Sequence, residues 1–186
     1  MAKIQLKPNT VLCPVPAVMV SCGTPEGKHN IITIAWAGTV CSDPPMLSIA
    51  VRPLRHSYRM IEDTGEFVVN IPSSSMTETM DYCGLVSGRD VDKFAERGLT
   101  AVPSSQLQCA PLIAECPVNL ECKVEQKLML GSHALFLARI VAVQADADVL
   151  DAQQHIDHKL ARPVAYAGSR YYELGDYLGR FGFSKQ

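Results

Sequence analysis

Apolar residues recur along this chain in short alternating runs, the period of a strand with one face in a core. "VPAVMVSCG", Val15 to Gly23, is the first such run, and "GTPEGKHN" after it supplies Gly, Pro and Asn for a turn. The stretch "ITIAWAGTVCSDPP", Ile32 to Pro45, predicts a second strand. It sets Ile32, Ile34, Trp36 and Val40 mostly on a bulky face, and Thr33, Ala35, Ala37 and Thr39 on a small, partly polar one. "SDPP" stops that strand and "MLSIAVR", Met46 to Arg52, predicts a third, so this region reads as antiparallel pairing through short connections. "RHSYRMIEDTG" predicts a short helix closed by a left-handed Gly65, and "EFVVNIP", Glu66 to Pro72, a fourth strand.

The pattern then turns helical. Ser75 and Glu78 have capping-box spacing at the start of "MTETMDYCG", and "RDVDKFAERG" predicts a second short helix stopped by Gly98. "TAVPSSQLQCAPLIAECP" is broken by prolines and reads as loop with one short strand at most. "VNLECKVEQKL" alternates, with Val118, Leu120, Cys122 and Val124 inward and Asn119, Glu121, Lys123 and Glu125 outward. "ALFLARIVAVQA" predicts a long strand, residues Asp151 to Lys159 a turn of helix, and "VAYAG" a short strand. Six or more antiparallel strands with helices inserted mid-chain predict a mainly β fold, a β-barrel of Greek-key type with a helical side layer, as one domain over residues 1–186.

Composition narrows the function classes. A net charge of −2 argues against a protein that grips nucleic acid or an anionic membrane, so any anion site is local. No apolar run is long enough to span a bilayer, and "MAKIQLKPNT" has no apolar secretory core. Seven irregularly spaced cysteines without a C-x-x-C pair read as reduced thiols buried as small hydrophobes in a cytoplasmic or anaerobic protein. Neither common phosphate loop nor a G-x-S-x-G elbow occurs. His155 and His158 flank Asp157 at a metal-like spacing, but polar residues on a helix surface explain the pattern more simply, and no metal site is expected.

Three stretches could carry chemistry. Arg52, Arg55, His56 and Ser57 fall within six residues at a strand end, and Ser57 could open the helix that follows. A helix start, a hydroxyl and a guanidinium make a competent phosphate site, and a solvated basic loop explains the same residues. A strand carrying Thr33, Ala35 and Ala37 would let a flat aromatic ligand approach the backbone while Trp36 shields it; the alternative is a core tryptophan in a tight barrel. His133, after Gly131, and Lys93, in "DVDKF", read on their own as a surface histidine and a solvated lysine.

Taken in order, "HNIITIAWAG", "CSDPPMLSIAVRP", "TGEFVVNIP", "SGRDVDKF", "GSHALFLARIV" and "YYELG" resemble the flavin reductase-like, FMN-binding split-barrel family, and within it the flavoredoxin branch. The resemblance implies FMN as cofactor, NAD(P)H as a possible co-substrate, and a flavin-dependent oxidoreductase passing electrons to free flavin, a metal or a protein. It also implies a homodimer with FMN near the interface; the tail of Tyr171, Tyr172, Tyr177, Phe181 and Phe183 is too apolar to leave free, and wraps a partner subunit or packs back on its own barrel. By the same likeness Asn30 and Trp36 contact the flavin, backbone of Cys41 and Ser42 reaches its ring, and Arg55 and Ser57 hold the phosphate, while the small face with Thr33 and Ala35 makes room for the ring. Lys93, His133 and Tyr166 complete the set, with His133 as the catalytic candidate, although Ser132 stands where many relatives carry Asp. An FMN electron carrier without NAD(P)H activity, or a flavin-free barrel, are the alternatives.

Overall fold

The computed structural model describes residues 1–185. In chain order the strands and helices are β1 (Val15–Pro16), β2 (Val18–Gly23), β3 (His29–Ile34), β4 (Ala37–Ser42), β5 (Pro45–Val51), α1 (His56–Thr64) and β6 (Glu66–Ile71). They continue with α2 (Thr77–Leu85), α3 (Lys93–Arg97), β7 (Ala101–Val102), β8 (Leu112–Ile113), β9 (Val118–Leu130), β10 (His133–Ala145), α4 (His158–Ala161), β11 (Val164–Ala167) and β12 (Arg170–Glu173). Seven strands form one antiparallel sheet in the order β3-β2-β6-β9-β10-β5-β4. A small β1-β11-β12 sheet lies apart from it.

The predicted strand from Ile32 to Val40 is two strands. β3 ends at Ile34, residues 35 and 36 bend, and β4 begins at the opposite edge of the sheet. At the bend the backbone amide of Ala50, on β5, donates to the carbonyl of Trp36 at 2.8 Å, one step beyond the pairing of Ala37 with Ile49, and the bend itself brings the two sheet edges together as a split barrel. Trp36 is consequently no core residue, being 37% exposed, and Val40 is exposed as well.

Alternation along β2 and β3 sorts side chains between two cores. Val18, Val20, Cys22, Ile32 and Ile34 point into the barrel with Ile49, Phe67 and Phe136, and α1 plugs one end with Tyr58, Met60 and Ile61. Ala17, Met19 and Ile31 point outward against Met80 and Cys83 of α2 and Phe94 of α3. β2 is therefore buried on both faces, with the near-continuous apolar character such a strand requires.

Helix ends were legible at glycine. Gly65 and Gly98 take left-handed φ values of 68° and 61° and close α1 and α3. The capping box at Ser75 and Glu78 does not form: a 3-10 turn over Ser74–Met76 precedes α2, and Thr77 Oγ1 donates back to the Ser74 carbonyl at 2.7 Å. The helix expected over Asp151–Lys159 does not form across that range: only its last two residues are helical, in a turn over His158–Ala161 capped by Asp157.

A second correction concerns β9. Asn119 and Glu121 do not face solvent; both are buried beneath the segment between β7 and β8. Glu121 accepts from the amides of Ser105 (2.9 Å) and Gln106 (2.7 Å), and Glu66 from those of Gln108 and Cys109 (2.9 Å each). Asn70 accepts from the Ile113 amide and from Asn119. Polar side chains on the outer sheet face thus supply the hydrogen bonds that a strandless loop cannot make for itself. Gly23 admits the loop, because a Cβ there would lie 1.9 Å from the Cys109 carbonyl oxygen.

The hydrogen bonds that Glu121 accepts outweigh its burial and hold its carboxyl below the usual range. A carboxyl with a lower pKa folded than unfolded contributes stability above the unfolded value, about 4.3 for Glu, and loses it as pH falls through the folded value. Glu121→Ala is expected to lower the unfolding free energy by about 3 kcal/mol through orphaned loop amides. It should also flatten the acid side of the stability profile, measured by urea unfolding across pH.

Candidate functional site

Three contiguous cavities run along β3 and past its end. The first is lined by Ile32 to Trp36, with Ala50 to Arg52, Arg55, His133 and Tyr166 around it. The second shares Ile32 and Arg55 with the first and continues past Asn30, His56, Ser57, Gly88, Arg89 and Lys93. The third opens at Thr33, Ala35 and Tyr166 toward Asp81, Gly84 and Tyr171. The small side chains Thr33 and Ala35 line both the first and the third cavity.

The end beside α1 is built for an anion. Arg55 is the N-cap residue of α1, without a side-chain cap, and Ser57 is the helix's second residue rather than its opener. Ser57 is buried, and its Oγ accepts from Asn30 Nδ2 at 2.7 Å, which aims the hydroxyl. Lys93 is no solvated lysine: at 3% exposure it donates to the carbonyls of Ile31 and Cys83, both at 2.7 Å. An ammonium has three protons, so one is left for the cavity it lines. Burial, partly opposed by nearby thiols and reinforced by Arg55, lowers the Lys93 pKa. The fold thus concentrates Arg55, Lys93 and Arg89 around the free amides of a helix start, the chemistry a phosphate requires.

Gly88 shapes this end and was not singled out from the sequence, although "SGRD" held the signal. A Cβ on Gly88 would sit 2.0 Å from Asn30 Oδ1. Only a glycine lets the 86–89 turn close over Asn30 while that side chain holds Ser57.

The other end of the site is flatter. Trp36 and Tyr166 line the first cavity, and Thr33 Oγ1 is fastened to the Met80 carbonyl. Tyr171 donates to Asp81 at 2.7 Å, and burial with that carboxylate pushes its phenol up to about 12. His133 is partly buried, its Nδ1 2.8 Å from Ser132 Oγ, so Ser132 orients the ring where Asp was the family expectation. Burial and the neighbouring Arg52 lower its pKa, so the imidazole is neutral near pH 7 and Nε2 is its remaining polar atom.

Cys41 and Ser42 do not join the others within the chain. β5 separates them: Cys41 pairs with Met46 and Ser42 with Pro45 at one end, whereas the Arg52–Ser57 segment follows the other end. "CSDPP" and "RPLRHS" thus lie at opposite ends of one hairpin strand. Asn30, Thr33, Ala35, Trp36, Arg55, Ser57, Lys93, His133 and Tyr166 are brought together along the cavities.

Among the described residues, no group of three or more His, Cys, Asp or Glu side chains could hold a metal ion. All seven cysteines are free, but only Cys22, Cys83, Cys116 and Cys122 are buried, so the reading of all seven as core residues is corrected for Cys13, Cys41 and Cys109. No described helix is long and apolar enough to cross a membrane.

Known proteins resemble this chain in sequence and in fold. Residues 11–175 match the family model described as flavin reductase like domain. The structure is similar to the flavoredoxin of Desulfovibrio vulgaris (Miyazaki F), with a TM-score of 0.93, 32% identity and full coverage of both chains. A flavoredoxin from Methanosarcina acetivorans superposes with a TM-score of 0.92 at 32% identity, over 100% of this chain and 98% of the other. An uncharacterized protein of Archaeoglobus fulgidus is 30% identical over 139 residues, 75% of this chain and 78% of its own.

Gly88→Ala is expected to drive Asn30 away from Ser57 and to destabilise the fold by about 1–3 kcal/mol as an overpacked site. Denaturant midpoints for this variant and for Gly65→Ala, where nothing lies within 4 Å of an added Cβ, separate crowding from backbone strain.

Proposed function

The chain belongs to the flavin reductase-like family, and on that premise we propose that it is an FMN-dependent oxidoreductase acting as a homodimer in the cytoplasm. One observation carries the reading: a cavity beside β3 lined by Thr33, Ala35 and Trp36 adjoins, through the shared Ile32 and Arg55, a cation-rich cradle at a helix start. The cradle fits a phosphate because Ser57 is aimed, Lys93 keeps a free proton and Gly88 leaves room.

In this reading Ser57, Arg55, Lys93 and the first amides of α1 hold the phosphate, with Asn30 positioning Ser57. Thr33, Ala35 and Trp36 line the ring, with Tyr166 and His133 at its borders; Cys41 and Ser42 could reach a ring only from a second copy. When bound, FMN supplies the two-electron chemistry, with NAD(P)H as donor and free flavin, a metal complex or a protein as acceptor. The protein's part is position and charge. Small side chains at Thr33 and Ala35, at the end of an edge strand, let a ring approach the backbone there, and Arg52 places positive charge beside His133. A neutral His133 can meet a nicotinamide at Nε2 without repelling it, which is the catalytic role we assign to it.

Exposed Leu174, Tyr177, Leu178, Phe181 and Phe183 in the C-terminal segment support a second copy as the partner, since a lone chain leaves them in water. Free thiols support a reducing compartment. A second reading, an FMN electron carrier without NAD(P)H activity, is favoured by similarity to two proteins named flavoredoxin.

The purified protein is expected to be yellow, and its visible absorbance to bleach with NADH or NADPH in a stopped-flow trial; bleaching by neither supports the carrier, and a colourless protein that ignores FMN removes both readings. Affinity for FMN should fall as pH rises toward the ordinary lysine value of about 10.4, because Lys93 loses its proton earlier than an exposed lysine. Fluorescence titrations of wild type and Lys93→Met across pH check this, the variant losing the dependence. Ser57→Ala and Arg55→Ala should each weaken FMN binding by about 1–3 kcal/mol.

A further inference from the structure

One wall of the first cavity does not belong to the main sheet. Tyr166 lines both the first and the third cavity, so it stands at the partition between them. It is carried by the β11–β12 hairpin, whose two-residue turn of Gly168 and Ser169 takes positive φ at both positions. β11 belongs to the small sheet with β1 and β12, not to the seven-stranded one. The base of the hairpin is fixed by buried Val164, whose carbonyl accepts from the Ala17 amide at 3.0 Å. Nearer its turn the hairpin is flanked by the two-residue β1, and a side chain completes the hold.

That side chain is Tyr171. It sits directly opposite Tyr166 in the ladder, so the two side chains share a face, and their ring centroids are 5.7 Å apart. Its hydroxyl donates to Asp81 of α2 at 2.7 Å. The preceding residue of the helix, Met80, presents the carbonyl to which Thr33 Oγ1 donates. Gly84 allows α2 to lie this close to β3, since an added Cβ would come within 3.1 Å of Thr33 Cβ. Two consecutive residues of α2 therefore brace Thr33, on one side of the ring cavity, against the hairpin that carries Tyr166 on another. We propose that the Tyr171–Asp81 hydrogen bond is a latch that fixes where Tyr166 meets the flavin ring, so that Tyr171 and Asp81 are positioning residues of the ring site. The inference rests on the assignment of the first cavity to the ring. Burial and the carboxylate together raise the Tyr171 phenol to about 12, so the donor survives the alkaline range in which an ordinary tyrosine, at about 10, ionises.

Titration of the full chain with FMN, followed by flavin fluorescence, tests the latch without relying on turnover. Tyr171→Phe keeps the pair of rings and removes only the bond. It and Asp81→Ala are each expected to weaken FMN about fivefold, and the double variant no further, because both lose the same contact. In a Tyr166→Leu background the Tyr171→Phe effect should shrink to less than about twofold, a coupling that a merely stabilising bond would not show. Circular dichroism of the flavin-free variants is expected to show folded protein at the titration temperature; should Asp81→Ala unfold, Tyr171→Phe still decides the matter. A Tyr171→Phe effect that is absent, or that persists undiminished beside Tyr166→Leu, would overturn the latch while leaving the FMN reading intact. Failure of the wild-type chain to bind FMN would overturn both.

Discussion

One run of chain serves both edges of a seven-stranded sheet, and most of what the molecule offers follows from that. β3 and β4 are neighbours in sequence and opposite in the sheet, so the barrel is closed by a two-residue bend and not by a ladder. A ladder would have used the backbone groups of Ala35 and Trp36; the bend gives Trp36 one partner on β5 and leaves an open seam. The cavities lie along that seam. Small side chains there are a requirement of the opening, since anything larger would fill it.

The closed parts of the fold are what allow one part to stay open. Two cores, inside the barrel and beneath α2 and α3, clamp β2 and β3 on both faces. On the remaining outer surface the sheet holds a long loop by buried carboxylates and amides, with Ser21, Asn70 and Asn119 in one network. Such a network is stable only when nearly every member is satisfied, and here donors and acceptors are matched across three strands and the loop. The site therefore stands on strands with little freedom to shift.

How far the sequence could be read depended on whether the cause was local. Gly65 and Gly98 act within one turn of helix, and both helix ends were evident. The alternation of β9 was evident too, yet the burial of Asn119 and Glu121 was not, because the covering loop is remote in sequence and carries no periodicity. No Gly or Pro marks the bend at Ala35, so β3 and β4 read as one strand. The candidate site was legible as residue types in order: Asn30, Trp36, Arg55, Ser57 and Lys93 were named before their places were known. Gly88 escaped notice because its role is a clearance to Asn30, 58 positions away in the chain, and the sequence does not display clearances.

Lys93 carries a consequence for how such a molecule matures. An ammonium buried without partners would oppose folding, but Ile31 and Cys83 donate no charge and still give it two carbonyl oxygens, stitching the wall of the barrel to the end of α2. Its positive charge is thus tolerated before any guest arrives. On the flavin reading, folding and loading are then separable events: main-chain oxygens already solvate the charge, so the polypeptide need not wait for a vitamin-derived passenger to reach its final shape.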